Sequence, residues 1–177
     1  MIKHIIVDTG YLLERYKIAG KKTQKCWTEE GHKAVTKKFD EEEKLGSRFY
    51  FPIPVLFELA THINDATNKQ QVLHHLTEII DKTQEDTSFW FIRPCSNAED
   101  MTAFIKDLIA VVNRFTNEFN EKNFSLTNVS IIAEVQCLEE KLKDKKHIKR
   151  SDHKIHIWTR NRALKGKEPD EEENPFV

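Results

Sequence analysis

Cysteine is scarce in this 177-residue sequence, and what there is does not pair: Cys26, Cys95 and Cys137 are widely separated, odd in number and form no CxxC. That spacing argues against a disulfide framework and against zinc, and it fits reduced thiols in a cytosolic protein. Long apolar runs are missing as well. No stretch approaches the ~20 residues that span a bilayer, and the N-terminus lacks a basic stretch followed by an apolar run and a small-residue cleavage site. The expectation is a soluble, cytoplasmic protein with no membrane partner. Nor is there an excess of charge of either sign. Lys and Arg number 28 against 29 Asp and Glu, so whole-molecule charge does not by itself favour nucleic acid, a membrane surface or an acidic substrate. The length fits one compact domain and leaves little room for a second.

What is present alternates between two periods. Ile2 to Val7 is a β-branched run that stops at the polar turn Asp8-Thr9-Gly10 and passes into Tyr11-Leu12-Leu13, a buried strand feeding a helix. A Lys- and Glu-rich stretch over 28–45 reads as helix. Phe49-Tyr50-Phe51 is a second strand, stopped by Pro52 and Pro54, and Pro54 suits the first turn of the next helix. Two amphipathic helices follow, one with Val55, Leu56, Leu59, Ala60 and Ile63 on its stripe, the other with Val72, Leu73, Leu76, Ile79 and Ile80. Ser88 to Ile92 is a third strand. Ser96 and Glu99 form a capping-box pattern before Met101, Phe104, Ile105, Leu108, Val112 and Phe115. Ser125 is a good N-cap for a helix running through Val129, Ile132, Val135, Leu138 and Leu142. Ile155 to Trp158 is the fourth strand. Strands alternating with helices predict an α/β fold, a mostly parallel sheet of about four to five strands with helices on both faces.

Residues 168–177 form an acidic tail beyond the domain of residues 1–167. The run Glu168 to Glu173 has no apolar spacing, so its simplest reading is a solvated segment, with contact to a basic groove as the alternative. A basic segment precedes it, from Lys141 through Lys149, Arg150 and Lys154 to Arg160, Arg162, Lys165 and Lys167. It is interleaved with His147, His153, His156 and Trp158, which suits phosphate binding or a solvated helix end. A soft-metal cluster of His153, His156 and Cys137 matches no zinc spacing. His74 and His75 are placed on the surface and shoulder of their helix.

Sites in parallel α/β sheets form beyond the carboxyl ends of the strands. Asp8 follows the first strand and Asn161 the fourth. Glu58 sits in the first turns after Pro54, and Asn128 three residues after Ser125, so all four face one edge. Asn128 also falls in register with Ile131, Ile132 and Val135, placing an amide on a stripe meant for burial, where it needs a partner. Each residue has a plain structural reading: a cap for Asp8 and the asparagines, a favourable helix dipole for Glu58. Their joint placement is the signal.

Four segments, Ile5 to Leu13, Pro54 to Leu59, Ser125 to Ala133 and Trp158 to Leu164, resemble in order the motifs of the PIN-domain ribonucleases, a family that includes VapC-like toxins. The resemblance covers nearly the whole chain except its acidic tail. It implies a PIN-like fold and Mg²⁺- or Mn²⁺-dependent endoribonuclease activity on single-stranded RNA, as a toxin or defence-system effector. Asp8 and Glu58 would hold the metal, with Asn128 where the family usually has Asp and Asn161 as a more distant ligand. Thr9, Ser125 and Thr159 would orient them, and Arg160 or Arg162 would contact phosphate. An antitoxin or defence-system protein and a homodimer partner are implied by the resemblance alone. Hard divalent cations prefer oxygen ligands. One carboxylate ~4 Å from a unit positive charge contributes on the order of 4 kcal/mol at an effective dielectric of 20, before desolvation. An amide at position 128 therefore weakens the site. Natural loss of activity, a deliberate exchange of Asp for Asn, and a variant site working at higher metal concentration are all open. A catalytically inactive RNA- or protein-binding module is the alternative function.

Overall fold

The computed structural model describes residues 1–20, 27–93, 112–113, 124–144, 149–174 and 176. Strands β1 (Ile2–Val7), β2 (Arg48–Pro52), β3 (Trp90–Arg93) and β4 (His153–Trp158) form one sheet in the order β3-β2-β1-β4, with every pairing parallel. Parallel neighbours require crossovers. Helices α1 (Thr9–Arg15), α2 (Glu29–Lys44), α3 (Ile53–Asp65), α4 (Lys69–Val72), α5 (His74–Gln84), α6 (Leu126–Asp144) and α7 (Arg162–Lys165) fill the intervals among the described residues. The α/β class and the parallel sheet are as expected. The helix expected over 101–115, with its Ser96 and Glu99 cap, lies outside the described residues except for positions 112 and 113.

Successive strand residues point to opposite faces, yet Ile5, Ile6 and Val7 are all fully buried. Both faces of β1 are therefore covered, as the unbroken β-branched run requires. On one face Phe39 of α2 packs against Phe49, Trp90 and Trp158 from three strands, and Tyr11 of α1 stacks on Trp158. On the other, α6 lies over the sheet, and the Arg93 guanidinium donates to Glu134 at 2.9 Å. That face also holds a polar chain, in which His4 is hydrogen-bonded to the Tyr50 hydroxyl and to His153, each at 2.9 Å.

Local chemistry explains the helix starts. The Thr28 side chain accepts from the Gly31 N–H, and Glu29 and Glu30 lie in the first turn of α2, where the dipole favours them. Pro54 occupies the first turn of α3. The stripe expected over 72–80 crosses a minor break: α4 ends at Val72 and α5 begins at His74, with Leu73 between them keeping helical dihedrals and its N–H bonded to the Lys69 carbonyl at 3.0 Å. Leu73 at that break is 52% exposed and Ile80 38%, so the buried stripe is narrower than the spacing implies.

The acidic tail departs from its simplest expectation, because Glu168, Asp170 and Glu172 are engaged by the domain while Glu171 and Glu173 are exposed. Asp170 accepts from the Ile155 N–H at 2.8 Å, from Arg150 at 2.7 Å and from Lys154 at 3.0 Å, and Glu168 accepts from the Ile157 N–H at 2.8 Å. Glu172 binds Lys3, Lys38 and the Trp158 indole N–H. Asn174 is buried, accepting from the Tyr11 hydroxyl and donating to the Thr159 carbonyl. The charges that the sequence offered for phosphate are in part neutralised here, within the chain. Among the described residues, no helix is long and apolar enough to cross a membrane.

Candidate active site

Strand order reverses at β1, which has β2 on one side and β4 on the other. Such a switch point opens a crevice beyond the carboxyl ends of the strands. Val7 pairs with Trp158, so the next residues, Asp8 and Thr159, emerge side by side. The Thr159 hydroxyl donates to Asp8 Oδ2 at 2.7 Å and also accepts from the Asn161 N–H at 2.9 Å. Asp8 occupies the N-cap position of α1 without a well-formed side-chain capping bond, although the Thr9 and Gly10 backbone N–H groups face its carboxylate and favour its charged form.

From the neighbouring strand, α3 brings Glu58 to the same place, where its Oε2 accepts from the Thr9 hydroxyl at 3.1 Å. Ser125 caps α6 by accepting from the Asn128 N–H at 3.1 Å, and Asn128 is half-buried one turn in. Asp8, Glu58, Asn128 and Asn161 all line one cleft of about 380 Å³, together with Thr9, Ser125 and Arg160. Gly10, Leu13 and His62 complete its wall. Thr159 lies behind that wall, while Arg162 is exposed at the start of α7 and does not line it.

Asp8 is only 9% exposed. Burial pushes its carboxyl from the ordinary 3.8 up to about 6; the Thr159 hydrogen bond opposes the rise and the nearby Glu58 charge adds to it. A carboxylate that is desolvated and close to another acid is the environment a cation relieves. The available donors are two carboxylates and the Asn128 amide oxygen, an all-oxygen set suited to a hard divalent ion but one charge short of three acids. Asn161 is less free to serve. Its Oδ1 accepts from the Ala163 and Leu164 N–H groups at 3.0 and 3.3 Å, capping α7.

Arg160 is also engaged. Its guanidinium lies 2.8 Å from Glu14, a fully buried carboxylate of α1 that also accepts from the Thr28 N–H. Gly31 makes room for that acid, since a Cβ there would come within 2.5 Å of its oxygen. His62 is the lining residue that the sequence reading passed over; its Nε2 is 4.0 Å from Glu58 Oε1. The signal was available, because residues four apart on a helix share a face. The histidines and Cys137 set aside as a soft-metal cluster are dispersed: His153 bonds to His4, and His156 donates to the Asp170 carbonyl at 2.8 Å. Compared with protein-family models and with curated proteins, the chain gives no match to either.

Proposed function

We propose that the cleft is the active site of a PIN-type, metal-dependent endoribonuclease acting on single-stranded RNA. The observation that carries this reading is the meeting of Asp8 and Glu58, from segments fifty residues apart, at a strand switch point, with Asp8 buried and its carboxyl raised to about 6. The parallel α/β fold and the order of the four segments support it. Asp8, Glu58 and the Asn128 amide oxygen are the groups that would hold Mg²⁺ or Mn²⁺. Such an ion supplies activation of water and offsets charge on the attacked phosphate. Thr159 fixes the Asp8 carboxylate and Thr9 that of Glu58, so both acids are oriented before any ligand arrives. Arg162, exposed beside the cleft, is better placed than Arg160 to reach a phosphate without giving up a buried ion pair. A role as toxin or defence-system effector, with an antitoxin or homodimer partner, rests on the resemblance alone.

A second reading is a catalytically inactive module that binds RNA or protein. It is favoured by the amide at position 128 and by the use of the Asn161 oxygen as a helix cap. Cleavage of labelled single-stranded RNA and DNA in Mn²⁺ and in Mg²⁺, by the unsubstituted chain, Asp8→Asn, Glu58→Gln and Asn128→Asp, separates the readings. The nuclease predicts metal-dependent RNA cleavage that both acid substitutions abolish and Asn128→Asp increases. Equal activity in all four chains refutes the site; RNA binding without cleavage in any of them establishes the module.

A further inference from the structure

Away from the cleft, α5 opens with two histidines that the proposed nuclease does not use. His74 and His75 are its first residues, and Glu78 follows one turn later. Residues three and four apart share a helix face, so this carboxylate reaches both imidazoles. His75 is held in place: the Tyr16 ring stacks on it at 4.3 Å, with 24° between the planes, and its Nδ1–H donates to Glu78 Oε2 at 3.0 Å. The His74 ring lies 3.9 Å from that of His75. One ligand atom from each residue, two imidazole nitrogens and a carboxylate oxygen, fall within 4.8 Å of one another.

We propose that His74, His75 and Glu78 form a binding site for a first-row divalent cation of the zinc type, separate from the acidic cleft. Two atoms bound at about 2.1 Å to one tetrahedral ion lie ~3.4 Å apart, so ligand atoms within 4.8 Å of one another close on an ion by approaching each other by up to roughly 1.4 Å, within the reach of side-chain rotation. The donor set decides the metal. Imidazole suits Zn²⁺, Co²⁺, Ni²⁺ and Cu²⁺, whereas Mg²⁺ prefers oxygen ligands and keeps its waters. The two sites therefore call for different ions, nitrogen-rich here and all-oxygen in the cleft. Three protein ligands leave a fourth tetrahedral position for water. Tyr16 supplies pre-organisation by fixing one imidazole before the metal arrives, which lowers the ordering cost of binding. The site sits at the break between α4 and α5, beside the exposed Leu73. An ion there joins His74, His75 and Glu78 across the first turn of α5.

The test is calorimetric titration of tag-free full-length chain with Zn²⁺ and, for its visible absorption, Co²⁺, with thermal melts to verify folding. Wild type and Asp8→Asn are expected to bind one equivalent of Zn²⁺ with equal affinity, and millimolar Mg²⁺ leaves that binding unchanged. His74→Ala, which alters an exposed side chain, and the conservative Glu78→Gln should each weaken it by at least about tenfold. Absence of Zn²⁺ binding in wild type overturns the proposal. So does binding that survives both substitutions, which places the ion on other histidines, or binding lost in Asp8→Asn, which places it in the cleft.

Discussion

Asp8→Asn is expected to stabilise the metal-free protein while destroying its proposed activity. The Asp8 carboxyl is pushed from 3.8 to about 6, chiefly by burial. The unfolded chain therefore releases this proton near pH 3.8 and the folded chain near pH 6. Below 3.8 both states are protonated and there is no penalty. Between these values the folded state holds the proton more tightly, so stability falls as pH rises, and above about 6 the full cost is present. At 1.36 kcal/mol per pH unit the gap amounts to about 3 kcal/mol. Asparagine carries no charge, and its side-chain oxygen can still accept the Thr159 bond, 2.7 Å long in the native chain. A net gain of about 2 kcal/mol at pH 7.5 follows, or roughly 2 to 4 °C in melting temperature per kcal/mol. The assay is urea unfolding of both chains in EDTA from pH 4 to 8. The stabilities should converge towards pH 4 and separate above 6, and Mn²⁺ should then narrow the difference by stabilising only the native chain. Equal stability at pH 7.5, or an offset independent of pH, refutes the reasoning.

Two other titrations have opposite origins but the same sign. His4 is lowered from 6.5 to about 4, first by burial and then by the charges of His153, Arg48 and Arg150. The unfolded chain gains this proton below pH 6.5 and the folded chain only near 4, so on the order of 3 kcal/mol is lost across that window; His4→Phe should flatten the stability curve there, and parallel curves would show that His4 is not responsible. Glu172 is desolvated, which raises its carboxyl, but hydrogen bonds from Lys3 and Lys38 win and hold it near 2, below the ordinary 4.5. Its contribution is present above pH 4.5 and is lost as pH falls towards 2. Glu172→Gln should cost roughly 2 kcal/mol at pH 7 by chemical denaturation and almost nothing at pH 2, whereas no loss at pH 7 means that the contacts with Lys3 and Lys38 contribute nothing net.

Strands were legible because burial on two faces demands unbroken runs such as Ile5-Ile6-Val7, which few other structures need. Helix starts were legible where the cap is local, as at Ser125, or where Pro54 fits a first turn. Asp8, Glu58 and Asn128 could be brought together because parallel topology alone sends the ends of β1 and β4 and the starts of α3 and α6 to one edge. Charge pairing was not legible. The bond between Arg160 and Glu14 joins positions 146 residues apart through a space that only Gly31 leaves open, and no period in the sequence marks it. Leu73 failed for another reason: it keeps helical dihedrals between α4 and α5, but its side chain faces outward and is not buried.

The tail's bonds to β4 have a wider consequence. Asp170 and Glu168 satisfy the outward N–H groups of Ile155 and Ile157 with carboxylate oxygens where another strand would have used carbonyls. Among the described residues β4 is an edge strand, and unpaired edges invite other chains to dock. Acid spaced at every second residue thus imitates the rhythm of a pairing strand, using side chains in place of a backbone ladder that a copy of the molecule could extend. A fusion that pulls this segment away would turn a sealed border into a template for self-association.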